Sequence, residues 1–140
     1  MNVFFDVDYT ILGWDWTLRP HTRAVFETLA AEGHAVYVWS GVGDRTADLV
    51  RHELLELVTG VYQKPLADFD AGLKQYGIPV VPDFVIDDYP EIVEHFGGMH
   101  IAPYWNKLYA DDELSRVPEL VAALMSDQRA HDPDQGRSPT

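Results

Sequence analysis

Apolar residues are arranged along this chain in short continuous runs that alternate with helical stripes. Val3, Phe4 and Phe5 form the first run and His34 to Trp39 (HAVYVW) the second; Gly60-Val61-Tyr62, Phe84-Val85-Ile86 and Met99 to Ala102 follow. Each run is brief, rich in aromatic or β-branched residues and lacks polar alternation, which predicts strands buried on both faces. Between the first two runs, Val25, Phe26, Leu29 and Ala30 share one helical face, with Pro20 at the first helical position and Gly33 as the stop. Asp44 is a fitting N-cap for a second helix whose Ala47, Val50, Leu54 and Leu57 recur on one side. Leu66, Phe69 and Leu73 mark a third helix closed by Gly77. Pro90 opens a short fourth with Ile92, Val93 and Phe96, and Val117 to Met125 forms the last. Ile11 to Arg19 contains Gly13, Trp14, Asp15 and Trp16 and has no regular period.

Strands alternating with helices predict an α/β chain: a three-layer, doubly wound parallel sheet of about five strands covered on both faces. No linker or internal repeat divides it, so residues 1–125 read as a single domain. Ser126 to Thr140 is polar and without apolar periodicity, and reads as a disordered tail. With 46% hydrophobic residues in 140, the chain can build a real core. It has no cysteine, which excludes disulfides, zinc–thiolate sites and thiol nucleophiles. No stretch approaches the roughly 20 apolar residues of a membrane span, and the N-terminal segment reads as a strand rather than a signal peptide. The expected location is therefore the cytoplasm. The net charge of −13 opposes binding to nucleic acid or to an anionic membrane, both of which need a basic footprint.

Candidate chemistry gathers at the ends of the predicted strands. Asp6 and Asp8 follow the first, Ser40 the second, Lys64 the third, and Asp87-Asp88 the fourth. In an open doubly wound sheet the carboxyl ends of parallel strands share one edge, where ligands bind. Acids two apart at one strand end repel, and a cation or a raised pKa relieves the repulsion. Gly41-Val42-Gly43 matches neither a phosphate-binding P-loop nor a dinucleotide fingerprint. The six histidines have no ligand spacing, and no Ser-His-Asp arrangement can be argued.

Asp6-Val7-Asp8-Tyr9-Thr10, Ser40 after an apolar strand, Lys64, and Asp87-Asp88 after another strand resemble, in that order, the four motifs of the haloacid dehalogenase superfamily. The resemblance spans residues 2 to 105; Tyr9 stands where many members have glycine. It implies a magnesium-dependent phosphatase with Asp6 as nucleophile, forming an aspartyl-phosphate, and Asp8 as general acid and then base. It implies Mg²⁺ held by Asp6, the backbone carbonyl of Asp8, and one of Asp87 and Asp88, with Asp87 favoured for direct contact and Asp88 for a metal-bound water. Ser40, Gly41 and Thr10 would bind the substrate, with free N–H groups from Gly41 to Asp44 assisting, and Lys64 would neutralise the transferring group. Arg45, in the first turn after the Ser40 loop, is a further candidate contact.

Trp14 and Trp16 lie where the family has a flap, and either stack on a substrate or pack on the core or a dimer contact. The intervals Thr10–Ser40 and Lys64–Asp87 leave no space for a cap domain. A capless member has an open site, serving a large phosphorylated substrate or a small one closed in by a neighbouring subunit. Two other readings compete: a receiver-type signalling module phosphorylated on aspartate, and an inactive relative that binds without turnover.

Overall fold

The computed structural model describes residues 1–131. Five strands form one parallel sheet: β1 (Asn2–Asp6), β2 (Ala35–Ser40), β3 (Gly60–Gln63), β4 (Phe84–Asp87) and β5 (Gly98–His100), in the order β3-β2-β1-β4-β5. The helices are α1 (Thr22–Ala31), α2 (Thr46–Arg51), α3 (Phe69–Gln75), α4 (Pro90–Phe96) and α5 (Val117–His131), with 3₁₀ turns at Leu55–Leu57 and Glu113–Arg116. This is the expected three-layer, Rossmann-like architecture without a cap.

Side-chain alternation on β1 divides the core in two. Val3, Phe5 and Val7 pack with Val25, Phe26 and Leu29 of α1 and with Val117 and Val121 of α5. Phe4 faces the other way, among Tyr37, Trp39, Leu73 and Ile92, and its ring stacks on Tyr37 at 4.6 Å. The chain winds outward through β2 and β3, then crosses back beyond β1 to β4 and β5. Strand order therefore reverses between β1 and β4, the switch point at whose carboxyl edge such sheets bind ligands. Phe5 pairs with Ile86, so one further step along each strand brings Asp6 level with Asp87. Gly98 makes the β4–β5 approach possible: a Cβ there would stand 2.0 Å from the Val85 carbonyl oxygen.

Several boundaries differ from those predicted. Pro20 lies in a turn rather than in α1, because His21 takes a left-handed conformation (φ 74°) and the helix starts at Thr22, whose hydroxyl donates to the Arg19 carbonyl at 2.8 Å. α2 is shorter than its stripe suggested. It stops at Arg51 and Glu53 turns left-handed (φ 58°), which breaks the helical phase that joined Val50 to Leu57. Val50 is consequently exposed and Leu49 enters the core in its place, while Leu54 is buried as expected. Asp44 caps from one residue farther out, its Oδ1 accepting from the Thr46 N–H at 2.9 Å. At the other end, α5 continues through Ser126–His131, the first part of the stretch read as a disordered tail. Alanine, glutamine and arginine there sustain backbone hydrogen bonding without an apolar stripe. The remainder of that tail, 132–140, lies outside the described residues. No helix among those described is long and apolar enough to cross a membrane.

The segment after β5 had no predicted role, yet it braces the loop after β1. Arg19 is fully buried and forms a two-pronged ion pair with Asp111 (Nε–Oδ1 2.8 Å, Nη2–Oδ2 3.0 Å). Its Nη1 donates to the carbonyls of Thr10 at 3.3 Å and Tyr9 at 3.5 Å, and its guanidinium lies 5.5 Å from the Tyr104 ring centre. Breaking one half of a buried pair leaves a charge uncompensated. Asp111→Asn is therefore expected to destabilise the protein by about 3 kcal/mol in urea denaturation; a change within experimental error would show that the pair does not hold the loops.

Candidate active site

Asp6 and Asp87 end the two strands that flank the switch point. Both side chains belong to the same parity as Phe4 and Val85, so they share one face of the sheet. Lys64 arrives from just beyond β3, two strand spacings or about 10 Å from β1. Only a long side chain delivers a charge over that span. Its Nζ lies 3.0 Å from Asp6 Oδ1 and 2.9 Å from Asp87 Oδ2, and all three residues are buried. The remaining oxygens are also held: Thr10 Oγ1 donates to Asp6 Oδ2 at 3.2 Å, and the Tyr89 N–H donates to Asp87 Oδ1 at 2.9 Å.

Two carboxylates thus share one ammonium, and the buried cluster is short of positive charge. Burial, and then the charge of Asp87, push the Asp6 carboxyl well above the usual carboxylate range, with Lys64 pulling in the opposite direction. Burial likewise raises Asp87 against the pull of Lys64 and the Tyr89 N–H. For Lys64, burial favours the neutral amine, but Asp6 and Asp87 outweigh it and hold the ammonium above its ordinary value. A divalent cation placed among these oxygens would offset the excess negative charge. Carboxylate oxygens of Asp6, Asp87 and Asp88 lie within 4.8 Å of one another, an all-oxygen donor set that suits a hard ion such as Mg²⁺. The Asp8 side chain stands outside this group. Its backbone carbonyl is a separate donor: the N–H groups of Tyr9 to Leu12 go to the carbonyls of Leu12 and Val7, none to that of Asp8.

The outer half of the site is built from the loops after β1 and β2. Asp8 accepts a 2.7 Å hydrogen bond on Oδ2 from Arg45 Nη1, which also donates to Ser40 Oγ at 3.3 Å. Arg45 Nε is held by Asp48 Oδ2 at 2.7 Å. Ser40 is buried at the end of β2, and its carbonyl accepts the Lys64 N–H at 2.9 Å, tying the two loops together. Tyr9 has φ 65°, the left-handed backbone that glycine adopts without strain. Its carbonyl accepts from the Tyr104 N–H at 2.8 Å and its ring packs on Trp105 at 4.8 Å, contacts that offset the strain. Close approach of the two loops needs Gly13, where a Cβ would meet the Trp105 carbonyl oxygen at 2.2 Å.

Some expected roles change in this arrangement. Thr10 is fully buried against Asp6, so it orients that carboxylate and offers no surface to a substrate. Two of the N–H groups expected to be free are not: Val42 N–H donates to Ser40 Oγ at 3.2 Å and Gly43 N–H to the Ser40 carbonyl at 3.3 Å. They close the turn on itself. Gly41 lies in that turn with the Leu66 side chain against it, where a Cβ would stand 2.8 Å from Leu66 Cδ2. Trp14 and Trp16 are 63% and 55% exposed, which removes core packing from their alternatives. Arg19, Asp48 and Asp111 were not anticipated. The scarcity of cations marks Arg19 as unusual, but nothing local signals a partner 92 positions away.

The charge imbalance has opposite consequences for two substitutions. Lys64→Met leaves two buried carboxylates unneutralised and is expected to cost about 3 kcal/mol or more in urea. Asp6→Asn leaves Lys64 and Asp87 as a balanced pair, so it is expected to raise the urea midpoint at neutral pH without divalent cation. The sign follows from proton binding: a carboxyl raised above 3.8 holds its proton more tightly in the folded chain, so stability falls as pH rises through the window above 3.8. The advantage of Asp6→Asn therefore grows from acid to neutral pH. An advantage independent of pH would contradict this assignment.

Against this geometry, no protein-family model matches the sequence, and comparison with curated proteins finds no match.

Proposed function

We propose that this protein is a magnesium-dependent phosphomonoesterase that works through an aspartyl-phosphate on Asp6. The observation that carries the reading is the buried group of Asp6, Lys64 and Asp87 at the switch point of a parallel sheet, where the carboxylates outnumber the ammonium. A structural ion pair in a core has no need of an excess acid. A site that receives a metal ion and a phosphoryl group does, because each carboxylate is a future ligand or nucleophile.

Lys64 and Thr10 each engage one oxygen of Asp6 and so fix the plane of its carboxylate before reaction. An Asp6 oxygen attacks phosphorus, the bond from phosphorus to the leaving oxygen breaks, and Asp8 gives that oxygen its proton. Water then attacks the acyl phosphate while Asp8 takes a proton from it, and inorganic phosphate departs as Asp6 is restored. Asp8 suits this exchange because its side chain is 40% exposed, unlike Asp6, and can deliver a proton to and from solvent. Ser40 and Lys64 bind phosphoryl oxygens. Asp6, Asp87, Asp88 and the Asp8 carbonyl would hold Mg²⁺, which would offset the negative charge of the phosphoryl group.

The absence of a cap leaves the rim accessible, in keeping with a phosphorylated macromolecule or with a small substrate enclosed by a second subunit. A receiver module is disfavoured by strand order, since receivers have the flavodoxin-like order 2-1-3-4-5.

Hydrolysis of p-nitrophenyl phosphate with MgCl₂ tests the reading. Asp6→Asn is expected to abolish turnover, Asp8→Asn to reduce kcat by about 10²–10⁴, and excess EDTA to stop the reaction until Mg²⁺ is restored. Equal turnover by wild type and Asp6→Asn would refute the mechanism.

A further inference from the structure

A guanidinium lies between the carboxylate given the acid–base role and the hydroxyl given the phosphoryl group. Arg45 Nη1 reaches Asp8 Oδ2 at 2.7 Å and Ser40 Oγ at 3.3 Å, and its side chain is only 11% exposed. Asp48, one turn along α2, grips Nε at 2.7 Å and so anchors the stem. These contacts use three of the five guanidinium N–H groups. The Nη edge is therefore the part able to change partners while the stem stays in place.

Two geometric facts bear on what that edge does. Nη1 and Ser40 Oγ are close enough that a single acceptor oxygen about 2.9 Å from each can be shared between them. A phosphoryl oxygen bound by Ser40 is thus within reach of Arg45. Meanwhile the Arg45 bond turns Asp8 Oδ2 to the guanidinium and opposes rotation of the carboxylate toward a leaving oxygen. A phosphate monoester carries a charge of about −1.5 to −2 near neutral pH, against −1 for a carboxylate, and matches the guanidinium fork at least as well.

We propose that Arg45 exchanges its Asp8 partner for a phosphoryl oxygen when substrate binds beside Ser40, and that this exchange releases Asp8 to face the leaving group. The proposal rests on the phosphatase reading and adds to it a positioning residue and an order of events. Binding of the phosphoryl group and readiness of the acid become one step, so an acid–base carboxylate is turned inward only when there is a bond to break. In a chain with 10 Lys and Arg against 23 acids, Arg45 and Lys64 are donors that the site holds on carboxylates, so a phosphoryl oxygen gains them only by exchange of partners.

The test is a double-mutant cycle read by titration calorimetry with inorganic phosphate in MgCl₂, using wild type, Arg45→Gln, Asp8→Asn and the double variant. Arg45→Gln is expected to weaken phosphate binding about tenfold or more, the loss of a charge-assisted hydrogen bond. Asp8→Asn is expected to tighten binding by removing the competitor, and that gain is expected to vanish when Arg45 is also replaced. A gain of equal size in both backgrounds reflects only the loss of a nearby negative charge and overturns the exchange, as does wild-type affinity in Arg45→Gln. Should Arg45→Gln fold poorly, Asp48→Asn, which frees the stem, takes its place in the same cycle. A purely structural arginine would lower the melting temperature without any coupling to Asp8. The failures are distinguishable. A wild type that neither binds phosphate nor turns over p-nitrophenyl phosphate ends the phosphatase reading and the exchange with it. One that turns over, with no coupling in the cycle, ends the exchange alone.

Discussion

Lys64 held between Asp6 and Asp87 is the contact on which the arrangement of this protein turns. It joins an edge strand to the two strands at the sheet's centre, across the place where strand order reverses. The aromatic layer of Phe4 with Tyr37 and Trp39 is buried on the same face of the sheet. Burial strengthens the attraction between ammonium and carboxylates, and it makes the extra carboxylate costly. A cluster that raises its own carboxyl pKa values is poorly suited to stabilising a fold. It is well suited to accepting positive charge from outside. The function proposed here follows from that imbalance, and so does the expectation that the site trades stability for reactivity.

Around this buried centre the rim is organised by contacts between distant segments. Arg19 gathers the carbonyls of Tyr9 and Thr10 and the carboxylate of Asp111 about a single guanidinium. The Trp14 N–H donates to the Trp105 carbonyl at 2.7 Å, locking the loop after β1 to the segment after β5. Asp8 is therefore carried on a loop that is braced from behind, while its own side chain stays partly exposed. That combination, a braced backbone under a partly exposed carboxylate, is what an exchange of partners at Arg45 needs. Trp14, Trp16 and Trp105 remain exposed on these loops among the described residues.

The architecture was readable from the chain because it depends on local signals. Short uninterrupted apolar runs bounded by turn residues, such as Phe84-Val85-Ile86, read as strands covered on both faces, and proline and glycine at 90 and 77 mark helix ends. Parallel strands all end at one edge, so Asp6, Ser40, Lys64 and Asp87 could be assembled into a site before any distance was known. Where the structure departs from these local signals, the deciding interaction is not local. The break of α2 at Glu53 and the turn at Pro20–His21 each depend on a backbone conformation that no neighbouring residue announces.

The sequence by itself determined the layers, the edge at which chemistry gathers, and the residue types available there. Tertiary structure alone decided which partner each of them takes: Thr10 for Asp6 rather than for a substrate, Arg45 for Asp8, Asp111 for Arg19. The reason is physical. Burial and alternation are properties of short segments and leave a pattern along the chain. A hydrogen bond between loops is fixed by where two backbones pass in space, and that is set only once the whole sheet has formed.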